Sequence, residues 1–343
     1  YNQFGPLRAS CGGNNLKDRS MGMVVRFNWI EGGNRQLDLV DSDYVELYGD
    51  ASYRKSFVYG NVLIEPAGAG NRQMIHYGGD SGATAQYRKG MLHFYNNTVV
   101  STRTDRNTLL RMSSGEESAD LRHNIIYTTL AGSLLELAST DTSAPVAISH
   151  NWIKSGYVAG GAVITDDGTN ITGTVPGFAD EGGQDFRLAD GSPCIDAGGA
   201  LHADTAACPV DTEYVEHQSY EPRAISGPID IGAFESDPPM PEAVVEAYGT
   251  FECMGIVADC PSGYTPAQIG QVLVYIKRGA EWTRAQDAVQ VGSQSFFASS
   301  VFGLTPGTSY EFKVEYYSPS ASLITSTTVS GSTRPEITPP APA

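Results

Sequence analysis

Lys17 and Arg19 stand one residue apart in Leu16-Lys17-Asp18-Arg19. If that segment is extended, with Asp18 turned inward or into a neighbouring turn, alternation puts both cations on one face, about 7 Å apart at ~3.3 Å per residue. Two such groups can hold one anion, and a lysine buried enough to shed its proton can act as a base. The plain alternative is a solvated pair on an outer sheet face. Further on, Glu31-Gly32-Gly33-Asn34-Arg35-Gln36-Leu37-Asp38-Leu39-Val40-Asp41 places Arg35 near Asp38 and Asp41. Those carboxylates suit Ca²⁺, although Asp at a corner commonly caps its own turn. Asp38 with Asp41 or Glu31 would also form the acid pair of a glycosidase if they lay roughly 5 to 10 Å apart. His76-Tyr77-Gly78-Gly79-Asp80 adds an imidazole and a phenol, and Arg72 a further cation. A lone His is commonly a satisfied structural residue, and Tyr77 can equally stack in a core. No phosphate loop, Ser-His-Asp signature or haem motif stands out.

These residues need a scaffold, and the sequence supplies a repeat. Asn followed by a short β-prone run recurs in Phe27-Asn28-Trp29-Ile30, Asn61-Val62-Leu63-Ile64, Asn97-Thr98-Val99-Val100, His123-Asn124-Ile125-Ile126 and His150-Asn151-Trp152-Ile153. The steps of 33, 36, 27 and 27 residues are those of a solenoid. Short runs rich in Val, Ile, Tyr and Thr, punctuated by Gly, argue for strands over helices. Asn28, Asn61, Asn97, Asn124 and Asn151 are therefore expected to stack their amides at one corner, where Asn also tolerates a left-handed backbone. His93, His123 and His150 follow the same period and read as rung-stacking residues, not metal ligands. Two rungs, at ~4.8 Å each, would separate Lys17 from His76 by ~10 Å. The longest insertions, between Asn28 and Asn97, would wall any cleft.

Tyr1-Asn2-Gln3-Phe4 has the rung shape, so the chain is expected to begin inside a solenoid that extends further upstream. A Gly- and Asp-rich stretch from about Gly160 is expected to close it. The expected organisation is an all-β chain: a parallel β-helix over 1–236, a Pro-rich linker over 237–241, an antiparallel sandwich over 242–336 and a linker-like tail over 337–343. Tyr310, after Leu304-Thr305-Pro306-Gly307-Thr308-Ser309, is placed like a tyrosine corner.

Lys and Arg number 22 against 39 Asp and Glu, a net charge of −17 that repels nucleic acid and anionic membranes. An acidic glycan would need a local cation cluster or Ca²⁺. No apolar run approaches the roughly 18 residues of a membrane span. The short separations of Cys194 from Cys208 and of Cys253 from Cys260 predict two local disulfides. Cys11 is left either to pair upstream or to be buried. Metal binding is disfavoured, since there is no CxxC or His-Cys cluster.

The rungs, with Lys17-Asp18-Arg19 ahead of Val25-Arg26-Phe27-Asn28-Trp29-Ile30, and the segment from Asp185-Phe186-Arg187-Leu188 to Asp230-Ile231-Gly232-Ala233-Phe234-Glu235, resemble bacterial secreted right-handed parallel β-helix proteins of the pectate-lyase-like superfamily. Thr250-Phe251-Glu252-Cys253 and the Leu304 to Val314 stretch resemble fibronectin-III-like modules of exported polysaccharide-active proteins. The resemblance implies secretion or cell-surface display and a polysaccharide or extracellular-matrix partner. It implies β-elimination on an acidic glycan, with Lys17, Arg19, Arg35 and Tyr77 as the catalytic set. Arg72 and His76 would contact the substrate, and Ca²⁺ on Asp38 and Asp41 would neutralise its carboxylate. Alginate- and chondroitin-type lyases place an Arg soon after the Leu-x-Leu strand, where this chain has Val40, so Arg35 or Tyr44 would have to serve as proton donor. The polygalacturonase-like Asp pair is missing, which ranks hydrolysis below elimination. Since the superfamily also contains rods and adhesins, a non-catalytic structural, matrix, filament or adhesive role is the alternative.

Overall fold

The computed structural model describes residues 1–8, 11–140, 143–236 and 240–336. The chain divides into two compact units, Tyr1–Asp237 and Pro238–Ala343. Most of the expected linker and the whole expected tail lie outside the described residues.

In the first unit, the chain visits three sheets in the same cyclic order on each coil, the connectivity of a β-helix. The first sheet stacks Gln3–Phe4, Trp29–Glu31, Val62–Glu65, Thr98–Ser101, Ile125–Thr128, Trp152–Lys154 and Ile171–Gly173 in parallel. The second stacks Leu16–Asp18, Leu37–Leu39, Gln73–Tyr77, Asn107–Met112, Leu135–Thr140 and Val158–Gly160. The third stacks Val24–Arg26, Lys55–Tyr59, Met91–Tyr95, Ser118–Arg122, Pro145–Ser149 and Val163–Asp166. Register lines Ile30, Leu63, Val99, Ile126 and Ile153 into one column of the interior. Each is wholly buried, worth roughly 1.5–3 kcal/mol of apolar transfer per side chain.

The asparagines form a continuous amide ladder. Nδ2 donates to the next Oδ1 from Asn2 to Asn28, Asn61, Asn97 and Asn124 at 3.0 Å per step, then to Asn151 and Asn170 at 2.9 Å. Asn170 is a rung the sequence reading passed over, because its step of 19 residues is short. The rungs thus run to Gly173 rather than stopping near Gly160. The left-handed residue of each corner is also not the ladder Asn. It is the residue before it: Phe27 (φ 52°), Gly60 (φ 64°), Asn96 (φ 48°), His123 (φ 53°) and His150 (φ 49°). That turn frees the Asn to extend and donate along the stack. A Cβ at Gly60 would sit 2.4 Å from the Phe27 ring, so glycine is required there on both counts.

The segment after Gly173 does not simply cap an end. It runs back over the outer side of the first sheet, where Trp29, Ile125, Tyr127 and Trp152 pack against Phe186, Cys194, Tyr214, Ile231 and Phe234. Ala233 N–H donates to Thr98 Oγ1 at 3.0 Å and Gly232 N–H to the His123 carbonyl at 2.8 Å. Buried Arg223 fastens the return through Glu235, at 2.8 Å.

The expected disulfides are absent: all five cysteines are free thiols. Cys253 and Cys260 sit at the two ends of the strand Cys253–Asp259, where seven extended residues separate them by about 23 Å, beyond any bridge. Cys194 is buried against the first sheet, whereas Cys208 packs in a different cluster with Tyr59 and Tyr95. Cys11 is exposed rather than buried.

The second unit has two four-stranded antiparallel sheets. One orders Val245–Gly249, Cys253–Asp259, Phe296–Phe302 and Val289–Gln290; the other orders Glu281–Arg284, Gln271–Arg278, Ser309–Tyr317 and Leu323–Ser332. Alternate residues such as Ile256, Val274, Phe312 and Val314 share one core. The Tyr310 hydroxyl accepts from Thr305 N–H at 2.8 Å, tying loop to strand. Among the described residues no helix is long and apolar enough to cross a membrane.

Candidate functional site

The outer face of the second sheet carries Lys17, Asp38 and His76 side by side in register, with Arg111 on the next rung. Leu16, Leu37, Ile75 and Leu110 alternate inward and anchor those strands. Asp18 does not join the face; its carboxylate accepts from Ser20 N–H and shapes the following turn.

Lys17 and Arg19 converge on one carboxylate. Arg19 Nη2 lies 2.6 Å from Asp80 Oδ1, and Lys17 Nζ bonds the other oxygen of Asp80. Lys17 also lies 2.9 Å from Asp38 Oδ2. Desolvation pulls the Lys17 ammonium down, but the bonds to Asp80 and Asp38 outweigh it and raise Lys17 above its ordinary value. Both acids thus favour the charged form of Lys17.

Asp38 is the hub of the strip. Its Oδ1 accepts from His76 Nδ1 at 2.8 Å, while Oδ2 accepts from Asn14 Nδ2 at 2.7 Å. Burial alone would raise this carboxyl, yet His76 and Lys17 hold it at about 2. Arg35 lies at the margin, 3.9 Å from Asp38 Oδ1, and donates to Gln73 Oε1 at 3.1 Å. Asp41 Oδ1 accepts from Asp80 N–H at 2.8 Å and lies 3.7 Å from Arg19 Nη1. Asp38 and Asp41 are thus bound to protein donors separately and do not gather as Ca²⁺ ligands. The expected calcium site does not form among the described residues.

Tyr77 and Arg72 depart from the expected set. Tyr77 points into the solenoid core, fully buried, and desolvation pushes its phenol up, so it meets no substrate. Arg72 is exposed, with its charge near Asp105 and outside the Lys17 network.

His76 Nε2 lies 2.9 Å from Ser113 Oγ, so Ser113, His76 and Asp38 stand in the order of a nucleophilic triad. Ser113 Oγ, however, also contacts Tyr77 O at 3.2 Å, Gly79 O at 2.8 Å and Gly79 N at 2.9 Å. Four polar neighbours exceed the one donor and two acceptor sites of a hydroxyl, so Ser113 is held by the turn as well as by His76. The line works as a strut that pins the turn carrying Asp80.

Two insertions wall the strip. Buried Arg88, from the second, donates to Val40 O and Ser20 O, each at 2.9 Å, and lies 4.9 Å from the Tyr53 ring centroid of the first. The sequence reading missed Asn14, Asp80, Arg88 and Ser113 as site residues. Only Asp80 carried a local signal, an acid directly after Gly78-Gly79.

No family model and no curated protein matches the chain. Among solved structures, the chain is similar to a human fibronectin type III domain, from fibronectin type III domain containing protein 3. That match has 22% identity over 32% of this chain and 96% of the domain, with a TM-score of 0.23. It is also similar to chitinase ChiW of Paenibacillus sp. str. FPU-7, a bacterial cell-surface-expressed multi-modular enzyme, at 8% identity and a TM-score of 0.21. That match takes in 93% of this chain but only 23% of the chitinase. Neither similarity assigns an activity.

Proposed function

We propose that this chain is an exported or cell-surface protein of the pectate-lyase-like right-handed β-helix kind, carrying a fibronectin-III-like sandwich, and that it binds an acidic polysaccharide through Lys17 and Arg19. One observation carries the reading: the two cations grip a single carboxylate, that of Asp80, one oxygen each. A uronate carboxylate presents the same two oxygens and would take the same two donors once Asp80 swings aside. Neighbouring Asn14 and Arg35 offer further polar atoms to sugar hydroxyls.

The role is binding, not β-elimination. β-Elimination needs a base that has given up its proton, whereas Lys17 stands between two acids that favour its charged form. His76, the other base on the face, spends both ring nitrogens on Asp38 and Ser113. The protein should therefore act as an adhesive or matrix module on acidic glycans. Isothermal titration with polygalacturonate, alginate and hyaluronan, alongside ultraviolet monitoring for unsaturated products, tests it. Salt-sensitive binding without product is expected. Turnover, or no binding even with Asp80→Asn, overturns the reading.

A further inference from the structure

His93 lies on Met91–Tyr95 of the third sheet, away from the strip described above. It is wholly buried, and among the described residues neither ring nitrogen has a hydrogen-bond partner. Such a group is costly to leave unmet. One face of the ring stacks on Phe57 of the preceding rung, with centroids 5.0 Å apart. His202 lies on another side, 4.8 Å between ring centroids, and Asp204 Oδ2 is 3.7 Å from His93 Nε2. His202 and Asp204 come from the short turn around Ala203–Ala207 in the returning segment. One ligand atom from each of the three residues lies within 4.8 Å of the others.

We infer that His93, His202 and Asp204 form a binding site for a divalent transition ion of the zinc type, which staples the returning segment to the third sheet. Two imidazoles and one carboxylate are borderline ligands that suit Zn²⁺, with a fourth position left for water. Tetrahedral bonds of about 2.0–2.1 Å place ligand atoms roughly 3.3 Å apart, so the three groups must draw together modestly. Among the described residues no backbone–backbone hydrogen bond joins the strand to this turn, so drawing the groups together breaks none. Two existing contacts are given up: the 3.1 Å bond from Asp204 N–H to His202 Nδ1, and the 2.8 Å pair between Asp204 and Lys55. Lys55 thus holds the place of the cation on the carboxylate, and its removal should favour the ion.

The test uses the full chain without a histidine tag, its cysteines alkylated and its metals stripped by chelator. Calorimetric titration with Zn²⁺ should give one equivalent, and Co²⁺ should give the visible bands of a tetrahedral nitrogen and oxygen site. His202→Ala and Asp204→Asn, both outside the solenoid core, should each weaken binding at least about tenfold. Lys55→Gln should tighten it several-fold. Circular dichroism checks that each variant is folded. Absence of stoichiometric binding, or native affinity in folded His202→Ala and Asp204→Asn, overturns the site. Unchanged affinity in Lys55→Gln overturns Asp204 as a ligand.

Discussion

Arg19 Nη2 lies 2.6 Å from Asp80 Oδ1, while Lys17 holds the second oxygen of the same carboxylate. Asp80 thus competes with any external carboxylate for both cations. Asp80→Asn should strengthen binding of an acidic glycan roughly tenfold, about 1.4 kcal/mol, the scale of one charge-assisted contact. Replacing Lys17 and Arg19 together by Ala should abolish that binding and leave neutral glycans unaffected. Affinity electrophoresis at low and high salt reads both effects, and an unchanged Asp80→Asn mobility would count against the competition.

The Asn97 side chain donates to Asn124 Oδ1, Val58 O and Tyr95 O, at 3.0, 2.9 and 3.1 Å, and its Oδ1 accepts from the Asn61 amide and backbone. All of these groups are buried. Asn97→Ala leaves several of them unmet and should destabilise the solenoid by at least about 3 kcal/mol. Asn2→Ala, at the exposed end of the ladder, should cost less than about 1 kcal/mol. Urea denaturation of both variants compares them, and equal losses would contradict a cooperative buried ladder.

His123 accepts from Gly199 N–H through Nε2 at 2.8 Å, and burial, aided by His150, holds its pKa at about 3. The unfolded chain takes up the proton near pH 6.5 while the folded chain refuses it until about 3. Stability from this group is therefore complete above pH 6.5 and is lost as pH falls, by about 1.4 kcal/mol per unit. Asn96 holds the equivalent corner with φ 48°, so His123→Asn should keep the turn and remove the dependence. Between pH 7 and 5 the native chain should lose about 2 kcal/mol more than the variant in denaturant titrations.

Titration of the denatured, unreduced protein should find all five thiols. In the folded protein Cys194 should not react, because burial pushes its thiol up to about 12. A reductant should leave the thermal midpoint unchanged. Fewer than five thiols would restore a disulfide.

The rungs were legible in the sequence because a solenoid repeats its local demands: a short β-branched or aromatic run, then an Asn able to join an amide stack. The acidic balance was equally plain. Which residue turns left-handed was misplaced by one position, since Asn tolerates that backbone while Phe27 and His123 adopt it only under the force of their neighbours. Alternation placed Lys17 and Arg19 on one face, but their shared partner lies more than 60 residues away. Asp80 reaches them because the insertion between Gln73–Tyr77 and Met91–Tyr95 opens with a turn held by Ser113. The same holds for Tyr77, sent inward by the register of its strand, and for the cysteines, separated by an extended strand in one case and by different sides of the solenoid in the other. Local chemistry sets the coil. Which side chains meet across coils is decided by insertion lengths and by the path of the returning segment, neither of which has a local signature.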